Sequence, residues 1–100
     1  MRLYDIAMVC RSKNAGPFQV TIDLMFDSDG AYRQVLDSPA FTAEKIASLY
    51  RVPVDKVAVK RFDRILTVKV VLPRRAASGS DGDTDVYGSQ QHFPLGDLEI

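Results

Sequence analysis

The feature that most constrains this chain is the stretch at residues 18–26. Phe18, Val20, Ile22, Leu24 and Phe26 alternate there with Gln19, Thr21, Asp23 and Met25. A period of two puts the five apolar side chains on one side of a strand and the other four on the opposite side. This is a half-buried strand with one face on a core. Pro17 fits only at its start, where no ladder donor is required.

The segments around it can be read from that anchor. Asp27-Ser28-Asp29-Gly30 breaks the strand and offers a helix cap. A short helix is expected over residues 30–37, ended by Ser38-Pro39. Thr42 reads as the next N-cap, with Phe41 and Ile46 at the staple positions of a helix running to Tyr50. Two strands are expected at 56–62 and 65–72, joined tightly through Asp63-Arg64. In the second, Leu66, Val68, Val70 and Leu72 share a face. Residues 3–10 read as a first strand with an irregular exit. Residues 76–85 are a flexible polar loop by composition, and 96–100 alternate like a last short edge strand. One-sided strands with two short helices are satisfied most economically by an α+β sandwich of the ferredoxin-like kind. Its sheet would be mainly antiparallel, with both helices on one face.

One hundred residues make a single domain, 1–100, with one modest core. The hydrophobic fraction of 46% and charged fraction of 26% are those of a globular protein. No apolar run is long enough for a membrane helix, and residues 1–6 carry Arg2 and Asp5 and lack a signal core, so a cytoplasmic setting is expected. Cys10 is the single cysteine and has no internal disulfide partner. A net charge of zero argues against a dedicated nucleic-acid binder.

The charge is unevenly spread. Residues 45–75 hold nine Lys or Arg and two acidic groups, and residues 76–100 hold five acidic groups and no Lys or Arg. The preferred reading is self-neutralisation, the acidic end lying over the basic segment. The functional reading is an anion or partner surface built from Lys56, Lys60, Arg61, Arg64, Lys69, Arg74 and Arg75.

Three polar stretches carry candidate chemistry. Residues 11–17, with Arg11, Ser12, Lys13, Asn14 and Gly16, suit an anion-binding nest or, preferred on chemistry alone, a polar turn. The run Asp81, Asp83, Asp85 invites a calcium reading, but Val86 and His92 stand where an EF-hand loop from Asp81 needs Gly and Glu. No ligand spacing supports zinc at Cys10 and His92, so neither metal nor cofactor is expected. Residues 90–92 read as a hydrogen-bonding strap. In an enzyme, His92 would be the natural acid–base group, with Asp85 as a second proton carrier.

Three segments carry a family resemblance. Arg11-Ser12-Lys13-Asn14-Ala15-Gly16-Pro17-Phe18, the Thr42 helix, and the run of residues 82–92 that contains Asp83, Thr84, Asp85, Tyr87, Gln90, Gln91 and His92 together resemble a prokaryotic family of small proteins, domain of unknown function 4387. The resemblance implies members encoded beside, or fused to, acyclic terpene utilisation A proteins, which are linked to acyl-CoA and branched-acid catabolism. The chain also resembles the ferredoxin-fold domain that ends those larger proteins, through Arg11-Ser12 with Lys13, Phe41-Thr42-Ala43-Glu44 and Leu95-Gly96-Asp97-Leu98-Glu99-Ile100. Lys13-Asn14-Ala15-Gly16-Pro17 departs from that domain's Gly-Asp-Lys-Gly loop.

Two functions follow as expectations. The first is an accessory subunit or interaction domain docked on an acyclic terpene utilisation A-like protein, with acyl-CoA or another small anion at a shared site. There Arg11, Ser12, Lys13, Asn14, Gly16, Asp83, Thr84, Tyr87, Gln90 and Gln91 would bind ligand. The second is a small hydratase, lyase or isomerase, with Arg11 and Lys13 holding an anion and His92 or Asp85 moving a proton. Homo-oligomerisation through the edge at 98–100 is a third possibility.

Overall fold

A computed structural model describes residues 1–15, 18–73 and 93–100. The elements are α1 (Leu3–Ile6), β1 (Val9–Asn14), β2 (Gln19–Met25), α2 (Asp29–Leu36), α3 (Ala43–Tyr50), β3 (Ala58–Phe62), β4 (Thr67–Pro73) and α4 (Phe93–Gly96). The four strands form one sheet in the order β1-β2-β4-β3, every neighbour antiparallel. Two hairpins therefore lie side by side, with α2 and α3 in the crossover between them. This is an α+β sandwich of the ferredoxin-like kind.

The core lies between one sheet face and the helices. Val20, Ile22, Leu24 and Phe26 meet Val68, Val70 and Leu72, and Leu3, Tyr32, Val35, Phe41, Ile46 and Leu95 close over them. The alternation in residues 18–26 makes this possible, because each register pair from Val20–Leu72 to Leu24–Val68 puts two apolar side chains on the same side. Phe26 and Tyr32 add an edge-to-face contact with centroids 5.8 Å apart.

Both helices begin on side-chain caps. Ser28 Oγ accepts from the Ala31 N–H at 3.1 Å, and Thr42 Oγ1 accepts from the Lys45 N–H at 3.2 Å. α3 ends in a Schellman motif. Val52 N–H donates to the Ala47 carbonyl at 3.0 Å and Arg51 N–H to that of Ser48 at 3.3 Å, with Arg51 left-handed at φ 56°.

Several expected boundaries shift. Residues 3–10 are not one strand: α1 takes Leu3–Ile6 and buries Leu3, and the strand starts only at Val9. The segment has mixed periodicity because one helical turn and one strand end share it. Residues 11–14 are strand rather than a connecting nest, since all four pair with β2. The 63–64 connection is longer than a tight turn. A 3₁₀ turn at Asp63–Ile65 leads to Leu66 at φ 49°, and β4 starts at Thr67. Leu66 packs against the core in that conformation. Residues 96–100 form no strand of the main sheet. After α4 they make one antiparallel bridge, Glu99 to Arg2. Leu3 N–H donates to Leu98 O at 2.9 Å and Ile100 N–H to Met1 O at 3.0 Å, so the backbone groups of this edge are engaged. The loop expected at 76–85 lies outside the described residues.

Candidate functional site

Helices cover one face of the sheet. Among the described residues none covers the other, and the candidate site lies there. Strand alternation decides which side chains reach it. The register pairs Arg11 with Asp23, Asp23 with Lys69, and Lys69 with Lys60. Directly opposed residues share a face. These four therefore make one row across all four strands, with charges plus, minus, plus, plus.

Asp23 is the centre of the row and is only 4% exposed. Arg11 Nε lies 3.6 Å from its Oδ2, and Lys69 Nζ lies 3.9 Å from its Oδ1. Both are ion-pair distances, longer than a hydrogen bond. Oδ1 is buried and has no hydrogen-bond partner. Burying a carboxylate oxygen without a hydrogen bond costs free energy, and the two nearby cations act against that cost. On the other flank, Lys60 and Lys69 are like charges directly opposite one another, which destabilises a ladder.

A shallow depression of about 250 Å³ opens beside this row. Arg11, Lys13, Lys69 and Asp23 form its polar side. Met25, Phe62 and Ile65 form its apolar side, with Thr67 on its floor. Phe62 is 43% exposed and Ile65 65%. Thr67 donates its hydroxyl hydrogen to the Ile65 carbonyl at 2.9 Å, fixing the rim. The depression thus joins a surplus of positive charge to an apolar wall.

The four candidate residues of β1 divide between the two faces. Arg11 and Lys13 line the depression. Ser12 and Asn14 pair with Ile22 and Val20 and so face the helical side, where Ser12 is buried. No single pocket can use all four. The remaining candidates, Gly16, Asp83, Thr84, Asp85, Tyr87, Gln90, Gln91 and His92, lie outside the described residues.

The basic segment divides in the same way. Lys60 and Lys69 lie on the face away from the helices. Arg61 pairs with Val68 on the other face and contacts Asp63 at 3.3 Å. Arg74 and Arg75 lie outside the described residues. Asp23, Met25, Phe62, Ile65 and Thr67 were missed as site residues. Asp23 stood in plain view on the polar side of the strongest strand, but its partners depend on a register that no single segment encodes.

On the helical face, burial pushes the Cys10 thiol up to about 11. Tyr50 is also raised by burial, and its phenolic oxygen accepts from the Leu95 N–H at 3.1 Å, which fastens α4 to α3. Among the described residues there is no group of three or more His, Cys, Asp or Glu able to hold a metal ion. None of the described helices is long and apolar enough to cross a membrane.

The fold and site define a small α+β module with one face packed and the other presenting an amphipathic, cation-rich surface. The family model "Domain of unknown function (DUF4387)" matches residues 3–99, and the chain belongs to that family. Comparison with curated proteins and with solved structures finds no match.

Proposed function

We propose that this chain is an accessory interaction domain. It is a cytoplasmic, prokaryotic subunit that docks on a larger protein of the acyclic terpene utilisation A type and serves acyl-CoA or branched-acid catabolism. The observation that carries the reading is the one-sided sheet. The helices close one face, and among the described residues nothing covers the charged, apolar-rimmed surface on the other. A depression of about 250 Å³ falls short of the ~300–1,000 Å³ of typical small-molecule pockets, and such pockets favour interfaces between domains. The partner class comes from the resemblance of Phe41-Thr42-Ala43-Glu44 and residues 95–100 to the ferredoxin-fold domain of the larger proteins. The test is co-expression with an acyclic terpene utilisation A protein from the same genome, followed by co-purification and an acyl-CoA binding screen on the complex and on each part. A stable complex that alone binds ligand is expected. Separate elution at micromolar concentrations sinks the reading.

A stand-alone hydratase, lyase or isomerase is the second reading. It is favoured by one observation, that Arg11 and Lys13 line the same depression and could hold one anion. It expects the purified chain to bind a small carboxylate by itself, and His92→Gln to abolish turnover while the fold persists. Unchanged turnover in that variant removes His92 from the reaction.

A further inference from the structure

We infer that the sheet face away from the helices is the docking surface of this subunit, and that its occupant is a polypeptide segment of the larger protein carrying acidic side chains beside an apolar one. The inference rests on the accessory-subunit reading and adds to it the surface and the chemistry of the partner.

Charge gives the first argument. Among the described residues, Arg11, Lys13, Lys60 and Lys69 occupy this face around one acidic group, Asp23. The surplus attracts carboxylates and raises association rates. It also disfavours a second copy of this chain, because face-to-face pairing would set the same surplus against itself.

Asp23 narrows the choice further. Its Oδ1 needs a donor, and Arg11 and Lys69 stand too far away to supply a hydrogen bond. A phosphate-dense polymer has little to offer here, since its phosphates carry no donor and are repelled by the carboxylate. A polypeptide brings both signs of polarity. Its carboxylates draw the Arg11 and Lys69 side chains outward, and one of its N–H groups turns to Asp23. All three groups are then satisfied together, at a point where leaving a buried acceptor unmade is costly.

The apolar rim completes the match. Ile65 and Phe62 stand exposed next to the charged row. A partner that buried this aromatic side chain and this branched aliphatic one would make them the apolar core of the contact and the charged row its polar rim, the usual anatomy of protein interfaces. An acidic segment with an apolar side chain seats the latter here.

The test uses the full-length subunit and its larger partner. Lys69→Glu and Lys60→Glu reverse charge in the row, and Ile65→Ser removes the rim without touching the core. Lys45→Glu on the exposed side of α3 is the control on the helical layer. Affinities are read by titration calorimetry at two salt concentrations, with circular dichroism to confirm folding. The inference expects each row variant to weaken binding by about tenfold or more, Ile65→Ser to weaken it independently of salt, and Lys45→Glu to change nothing. If Lys69→Glu fails to fold, Lys60→Glu and Ile65→Ser still decide. A complex that forms with wild-type affinity in the row and rim variants overturns the docking surface and leaves the subunit reading standing. No complex with the unaltered chain overturns both.

Discussion

The Tyr32 hydroxyl donates to Asp63 Oδ1 at 2.6 Å, joining α2 to the connection between β3 and β4. The tyrosine is buried, only 1% exposed, so its hydroxyl needs a partner within the protein and finds it in the Asp63 carboxylate. Arg61 approaches the same oxygen at 3.3 Å. The Tyr32 hydrogen bond, with Arg61 assisting, holds the Asp63 carboxyl below its ordinary range. Tyr32→Phe should cost about 1 kcal/mol, the usual net worth of such a bond. Because the folded-state pKa of Asp63 is lowered, its contribution is present above the ordinary carboxylate pKa. It is lost as pH falls through the lowered value. The stability gap between Tyr32→Phe and the unaltered chain, measured by urea unfolding across the acid range, should therefore narrow toward low pH.

Arg51 occupies a backbone conformation that glycine adopts freely. Its φ of 56° closes the Schellman motif after α3, and the side chain is exposed. Arg51→Gly should stabilise the fold by up to about 1 kcal/mol, since the left-handed penalty on a side-chain-bearing residue exceeds the entropy glycine adds to the unfolded chain. Thermal unfolding should show a higher Tm. An unchanged or lower Tm would mean that the Arg51 side chain makes a compensating contact.

Cys10 should be a sluggish nucleophile. Burial lifts its thiol from 9.0 to about 11, so very little thiolate exists at neutral pH. Alkylation by iodoacetamide should be much slower in the folded protein than in urea. The linkage has a sign as well. Between pH 9.0 and about 11 the unfolded chain loses the proton that the folded chain retains, so stability should fall as pH rises through that window. A Cys10→Ala variant should show a shallower fall.

Asp23→Asn should leave the charged row all positive. Arg11, Lys69 and Lys60 would then face one another without a counter-ion. The variant should be less stable at low ionic strength, with the deficit shrinking as salt screens the repulsion. A deficit independent of salt, followed by thermal unfolding in increasing sodium chloride, would show that Asp23 acts through packing and not as a counter-ion.

Much of the fold was legible because it rests on local patterns. Alternation marked β2 and β4, and the run Asp27-Ser28-Asp29-Gly30 and Thr42 marked the two helix starts, each of which depends only on neighbours in the chain. Leu66 was harder to read. Its left-handed backbone goes with a core contact and with the hydrogen bond its carbonyl accepts from the Phe26 N–H, both distant in sequence, and no local rule assigns that conformation to leucine. Residues 3–6 hid a helical turn for the same reason: one buried leucine and a bridge to residues 98–100 stabilise it, and both are distant in sequence. The candidate site was less legible still. Residues 11–14 looked like one cluster because composition ignores direction, whereas a strand sends successive side chains to opposite faces. Asp23 gains its meaning only from Arg11 and Lys69, which lie on other strands.

The division of β1 between two faces makes the charged surface a matter of parity. Whether Arg11 and Lys13 or Ser12 and Asn14 look away from the helices depends on an odd or even count of residues back to the first ladder pair, Val9 with Met25. A single insertion or deletion within β1 that no bulge absorbed would leave the composition almost untouched, yet on one side of it the side chains would exchange faces, cations for small polar groups. Lengths in this strand can therefore change in twos, and in ones only where a bulge takes up the odd residue, a constraint on its divergence that no substitution at a single position would reveal.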